Sequence, residues 1–347
     1  MKKLVIFSLL SGIFLSFYSC KKKDENIKPK KESKVENTNE ESSSTIKTKY
    51  VLSEKAYFPE SFDYDEKNNQ FILGSLNKGE IGKLNPVNGE YTVLAKNDDF
   101  VNITGIYTDE KNNRIIAAIS DIGVGEKSSI NTVASLGKLG FFDSKTGDLI
   151  KLLDLRKSVS VDNGIFLNDI TMDKKGNIYV TNSFGNSEIF KVNDNYKVSV
   201  LDVMKDLNAN LSGELGVTGI TYHQSTNSLI VGHSALGNLY AVPLSSLKPY
   251  LLADNIESVD GIELLKDDEL YITQNAVGKI KSFKLSVENK IIQAKVKDSK
   301  SVGFTSYPTA VTSYKGQKIY ALYSNLISLF MKKDGTENFT IVEYSSI

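Results

Sequence analysis

The chain of 347 residues has no tryptophan, one cysteine and two histidines, and its 42 lysines and arginines balance 42 aspartates and glutamates. Each shortage closes a route. A single cysteine leaves no disulfide, so the core alone must hold the fold. A net charge of zero, with no basic stripe carrying interleaved aromatics, argues against a nucleic-acid partner. Without tryptophan a dedicated glycan-binding surface is less favoured, although tyrosine can still stack on sugars. No long window shows a 3.6-residue period, which excludes a helical solenoid. The longest apolar run, Leu4–Tyr18, has 15 residues. That is short of the ~20 a membrane span needs.

What the chain does have is one phrase written six times. It reads ESFDYDEKNNQFILGS from Glu60, TGIYTDEKNNRIIAAIS from Thr104 and NDITMDKKGNIYVTNS from Asn168. It continues as TGITYHQSTNSLIVGHS from Thr218, DGIELLKDDELYITQN from Asp260 and TAVTSYKGQKIYALYS from Thr309. Aligned on Phe62, Ile106, Ile170, Ile220, Ile262 and Val311, successive copies lie 44, 64, 50, 42 and 49 residues apart. Each copy is a strand, a polar turn rich in Asn and Gly, and a second strand of β-branched and aromatic residues. A third strand follows in every copy, at Glu80–Leu84, Lys138–Phe142, Glu188–Val192, Asn238–Val242, Lys279–Phe283 and Leu326–Phe330. A fourth ends each unit, as at Tyr91–Ala95, Leu149–Leu153, Val198–Asp202 and Phe339–Tyr344. The expectation is an all-β, six-bladed propeller with four antiparallel strands per blade. An extra strand near Lys49–Ser53 helps to close the ring, while blade six supplies its own four.

The first 47 residues concern address. Met1-Lys2-Lys3, the apolar run and Ser-Phe-Tyr-Ser-Cys resemble a bacterial lipoprotein signal, with Cys20 as the lipidated first residue of the mature chain. An ordinary cleaved signal with an incidental cysteine is the alternative. Residues 20–47 then form a charged, disordered tether that cannot bury enough apolar surface to order itself. The division is therefore a signal peptide at 1–19, the lipidated cysteine and tether at 20–47, and the propeller at 48–347. It implies a monomer in the bacterial cell envelope, facing periplasm or cell surface, touching membrane only through its lipid.

In a propeller the innermost strands converge on the axis, so the residues opening the six copies meet in a ring. They are Glu60, Thr104, Asn168, Thr218, Asp260 and Thr309. Buried carboxylates are costly unless paired or metal-bound, so two acids and an amide here suggest a hard-oxygen site for Ca²⁺ or a similar divalent ion. The threonines complete the pocket lining.

Pro59-Glu60-Ser61, Leu167-Asn168-Asp169-Ile170 and Val259-Asp260-Gly261-Ile262 resemble the gluconolactonase and senescence-marker-protein family, relatives of paraoxonases and strictosidine synthases. The resemblance spans roughly residues 50–345. It implies a six-bladed propeller with Glu60, Asn168 and Asp260 holding calcium or another divalent ion in the central pocket. It implies hydrolysis of a lactone or ester of small size. Blade four departs from the family, carrying Thr218-Gly219 where an Asn ligand is usual.

A divalent ion would polarise the carbonyl while a carboxylate acts as general base, Asp260 first and Asp169 second. A non-catalytic propeller that binds a ligand or a protein is the alternative, since fold alone fixes no activity. His223 is read as a solvent residue in the blade-four turn and His233 as structural. Gly232-His233-Ser234-Ala235-Leu236-Gly237 lacks the second glycine of an esterase elbow. Ser234 also repeats Ser75, Ser120, Ser183 and Ser324, which marks it as blade architecture. The insertion Asp121–Leu136, with Gly123 and Gly125 as hinges, is read as a lid or a plain surface insertion. Glu214, in a long connector, is a further candidate carboxylate.

Overall fold

The computed structural model describes residues 46–160, 163–207, 214–331 and 338–347. Cys20, the signal peptide and most of the tether lie outside the described residues.

The first strand, β1 (Lys49–Leu52), stands apart from the repeats that follow it. Blade one is β2 (Pro59–Asp65), β3 (Gln70–Ser75), β4 (Glu80–Leu84) and β5 (Tyr91–Lys96). Blade two is β6 (Asn102–Asp109), β7 (Arg114–Ser120), β8 (Gly137–Asp143) and β9 (Leu149–Asp154). Blade three is β10 (Leu167–Met172), β11 (Ile178–Asn182), β12 (Ile189–Val192) and β13 (Val198–Leu201). Blade four is β14 (Val217–His223), β15 (Ser228–His233), β16 (Asn238–Pro243) and β17 (Tyr250–Ala253). Blade five is β18 (Val259–Leu265), β19 (Glu269–Gln274), β20 (Lys279–Glu288) and β21 (Ile291–Ser301). In these five the strands pair in chain order as antiparallel meanders. The turn between the first two strands takes positive φ at Asn69, Asn113 and Asn227, where the repeat writes Asn.

Blade six differs from the expectation. It runs β22 (Pro308–Tyr314), β23 (Lys318–Tyr323) and β24 (Phe339–Glu343), and its outermost strand is β1. The register is Lys49↔Val342, Tyr50↔Ile341, Val51↔Thr340 and Leu52↔Phe339. Leu326–Phe330, expected as a strand, is a short helix α1 that follows Asn325 in the left-handed region. Four apolar residues in five, broken only by Ser328, fit either period, so pattern alone could not choose. The fourth edge was already taken by a strand from the other end of the chain.

The core lies between blades. Six apolar clusters occur, one at each blade–blade interface, such as Ile116, Phe141, Ile170 and Phe190 between blades two and three. Inner strands are sandwiched by both neighbours and bury both faces, as β3 does along its whole length. Fourth strands form the rim and are half exposed, as in β5 and β9.

Candidate functional site

Every blade begins its first strand with a break in register. The shifts fall at Pro59/Ser61, Ile103/Gly105, Leu167/Ile170, Val217/Ile220, Val259/Ile262 and Pro308/Ala310. A bulge re-aims the side chain it carries. The six ring residues all sit at these bulges, and all are buried.

They divide into two sets that alternate round the ring. In blades two, four and six the residue is threonine, and its hydroxyl is engaged within the ring wall. Thr104 Oγ1 donates to the Leu167 carbonyl (2.7 Å) and Thr218 Oγ1 to the Val259 carbonyl (2.8 Å), each reaching the next blade. Thr309 Oγ1 shares a hydrogen bond with Ser324 Oγ (2.5 Å). The hydroxyl at 218, where the resembled family keeps its Asn ligand, is therefore committed to a backbone carbonyl.

Blades one, three and five carry Glu60, Asn168 and Asp260, whose exposures are only 8%, 5% and 5%. Among the described residues nothing donates a hydrogen bond to Glu60, and nothing pairs with the Asn168 amide. Asp260 accepts one bond, from Asn275 Nδ2 at 2.9 Å. Burial pushes the Glu60 carboxyl well up, and the charges of Asp260 and Asp169 push it further. Asp260 is raised to about 7 by burial, against the Asn275 bond and with help from Asp169. The Tyr307 phenol is held protonated by burial and by the same two acids, Asp260 and Glu60. Reading the sequence missed both: Tyr307 lies outside the repeated phrase, while Asn275 closes the fifth copy at the position that is serine in the other five.

The donor set suits a hard divalent cation in kind: oxygen atoms only, two carboxylates, and one of them buried without a partner. Its third member is an amide. Among the described residues no group of three or more His, Cys, Asp or Glu side chains gathers as a metal ligand set.

Asp169 is tied down. Its carboxylate accepts from the Ile170 amide (2.8 Å) and from the Ile220 amide of blade four (2.9 Å), and burial raises it to about 7. It faces a different space from the ring. A cavity of about 330 Å³ runs up the axis from the end where the first strands finish, and Asp169 is the only expected catalytic or metal residue among its lining. Asp63 and Glu263 line it as well. Asp63 binds its neighbours on both sides, accepting from Thr108 N (2.8 Å) in blade two and Thr312 Oγ1 (2.8 Å) in blade six.

Other expectations meet mixed outcomes. His223 is not a solvent residue: it is fully buried, with Nε2 2.9 Å from the Asp267 carbonyl and Nδ1 2.8 Å from Thr226 Oγ1. The turn of blade five folds over that of blade four and covers it. His233 is fully buried and receives the Leu236 amide on Nδ1 at 3.4 Å, a structural setting. The repeated serines do stitch the fold: Ser183 Oγ donates to the Val217 carbonyl (2.7 Å) and Ser120 Oγ accepts from the Leu167 amide (2.8 Å). The Asp121–Leu136 insertion is pinned. The buried Asp121 carboxylate accepts from Ser128 and Thr132, and the Glu126 amide donates to the Asn77 carbonyl (2.9 Å) in blade one. Gly125 has no room for a side chain beside Asn102, so its small size serves close packing there. Glu214 is exposed.

No family model matches the chain, and no curated protein is similar to it in sequence. Solved structures are similar in fold. The major allergen Mala s 1 of Malassezia sympodialis superposes with a TM-score of 0.66 at 17% identity, covering 86% of this chain and 96% of the other. The calcium-binding protein regucalcin of Agrobacterium tumefaciens gives 0.57 at 14% identity, covering 86% and 94%. A luciferin-regenerating enzyme gives 0.56 at 11% identity, covering 85% and 95%. At these identities the likeness speaks for the fold alone, a six-bladed propeller.

Proposed function

We propose that the protein is a hydrolase of a small lactone or ester, working with a divalent cation, calcium first, held by Glu60, Asn168 and Asp260. One observation carries the reading: the Glu60 carboxylate is buried at a bulge, beside Asp260, with no described residue donating to it. Such a group costs several kcal/mol unless something neutralises it (on the order of the penalty for burying an unpaired ion). The fold likeness to a protein named as calcium-binding agrees with this.

When bound, the ion supplies the electrophile that polarises a substrate carbonyl. The chain's residues supply the rest. Asp260 is the first choice to take a proton from water, and Asn275 fixes its orientation; burial raises its carboxyl in the cation-free site, and a bound divalent ion would bring it down again. Asp169 is the weaker candidate, because two backbone amides hold its oxygens. Tyr307, kept protonated, offers a donor near the same acids.

The test is metal analysis of the purified protein, with lactone and aryl-ester hydrolysis measured with and without chelator. Bound cation and chelator-sensitive turnover are expected, with Asp260→Asn lowering the rate about 10²–10⁴-fold. A cation without turnover would leave a binding propeller; neither cation nor turnover would remove the reading altogether. We also propose attachment to a membrane by lipid on Cys20. Cys20→Ser should release the protein into the soluble fraction or leave it unprocessed; unchanged partition and processing would refute the anchor.

A further inference from the structure

Blade five departs from the repeat at two positions, and both departures meet at Asp260. We propose that Ser258 and Asn275 are a positioning pair for Asp260: Ser258 sets the Asn275 amide, and Asn275 holds one carboxylate oxygen so that the other is left to act. This rests on the cation-dependent reading of the ring and adds the residues that hold its candidate base.

The first departure is Asn275. The other five copies close on serine, at Ser75, Ser120, Ser183, Ser234 and Ser324. In blades one, two, three and six that serine is engaged in the wall. Ser75 Oγ donates to the Tyr57 carbonyl, Ser120 Oγ accepts from the Leu167 amide and Ser183 Oγ donates to the Val217 carbonyl. Ser324 shares its bond with Thr309. Blade five reaches blade six by Thr273 instead, whose Oγ1 donates to the Thr309 carbonyl at 2.9 Å. Asn275 serves the carboxylate: its Nδ2 donates to Asp260 Oδ2 at 2.9 Å.

The second departure is Ser258. Two places before the ring residue the other blades carry Phe58, Asn102, Phe166, Gly216 and Tyr307. Only blade five places a hydroxyl of small size there, and Ser258 Oγ donates to Asn275 Oδ1 at 2.6 Å. An amide has one accepting end and one donating end, so fixing the oxygen turns the nitrogen toward Asp260. The Ala276 amide donates to the same oxygen, also at 2.6 Å. Turning the amide over would strand both donors and face Asp260 with an acceptor.

With Oδ2 held, Oδ1 is the Asp260 oxygen to which no described residue donates. Asp260 thus offers one oxygen, in a fixed direction, to a cation or a water. Partners behind a metal-binding carboxylate set its geometry, and losing one typically costs about 10–100-fold in metal affinity or activity.

The experiment titrates Ca²⁺ into the full chain by calorimetry, with phenyl acetate and δ-valerolactone hydrolysis and thermal melting read on the same samples. Ser258 has φ +58, as Phe58 and Tyr307 at the same place are left-handed. Ser258→Gly therefore removes the hydroxyl while suiting the backbone, so melting should hold while Ca²⁺ affinity falls about tenfold or more. Asn275→Ser writes the residue of the other blades and should lose about 10–100-fold in Ca²⁺ affinity, with kcat falling and KM held. Ser258→Gly combined with Asn275→Ser should bind Ca²⁺ no more weakly than Asn275→Ser alone, because the hydroxyl acts only through the amide. Losses that add in the double variant, or Ca²⁺ affinity and kcat unchanged in both single variants, would overturn the pair and leave the ring reading standing. A wild type that neither binds Ca²⁺ nor hydrolyses either ester would remove the ring reading and the pair with it.

Discussion

Removing β1 should open the ring, and the loss can be worked out from its contacts. Tyr50 and Leu52 are each 3% exposed, packed in the cluster that joins blade six to blade one. The Tyr50 ring meets Phe71 edge-on at 5.8 Å, and its hydroxyl donates to the Pro86 carbonyl of blade one at 2.6 Å. Tyr320 Oη donates to the Lys47 carbonyl (2.9 Å), and the Glu343 amide to that of Thr48 (2.7 Å). Truncating a buried aromatic to alanine costs about 3–5 kcal/mol and a buried leucine about 2–5. Tyr50→Phe should cost about 1–1.5 kcal/mol, because only the hydroxyl goes, with its bond to the Pro86 carbonyl and the longer one it accepts from the Lys47 amide (3.1 Å). Whole domains are stable by only about 5–15 kcal/mol. A chain starting at Glu54 loses both side chains and bares the β24 edge, so it should aggregate or melt without cooperativity. The assay is thermal melting by circular dichroism with light scattering. At about 2 °C per kcal/mol for a large domain, Tyr50→Ala should lose roughly 6–10 °C and Tyr50→Phe about 2–3 °C. A monomeric chain from Glu54 melting within two degrees or so of the full protein would refute closure by β1. It would restore a blade six built from its own residues.

Two more outcomes follow from the ring and the cavity. Thr218→Val should destabilise by about 1–2 kcal/mol, read by denaturant titration, because the Val259 carbonyl loses its donor. Thr218→Asn should not tighten any bound cation, since that position faces the ring wall; a tighter cation would show that the side chain turns inward. Glu263, raised from 4.5 to about 8, holds its proton in the fold at pH values where the unfolded chain has released it. The native state then binds more protons, so stability falls as pH rises between those values and levels off above them. Melting temperature should drop from pH 5 to pH 8.5, and Glu263→Gln should make the slope shallower, with Asp169 and Asp260, each raised to about 7, keeping their share. An identical slope in the variant would count against this.

The sequence by itself determined the fold, because a propeller writes its plan locally. A strand, an Asn-rich turn and a second strand suffice to name a blade, and six copies name the ring. It also brought Glu60, Asn168 and Asp260 to equivalent positions, since the copies align residue by residue. Pairing across the chain was not written there. Lys49–Leu52 and Leu326–Phe330 are both short apolar-containing runs; which becomes the fourth edge depends on a partner almost 300 residues away. Hydrogen-bond direction was not written either. Thr218 reads as a weak ligand until the Val259 carbonyl is seen to hold it. Asp63 and Glu263 read as ordinary alternating positions in FDYD and IELL. Only the closing of six blades round one axis makes them walls of a cavity, because the distance between side chains on different blades is set by the ring and not by any segment of it.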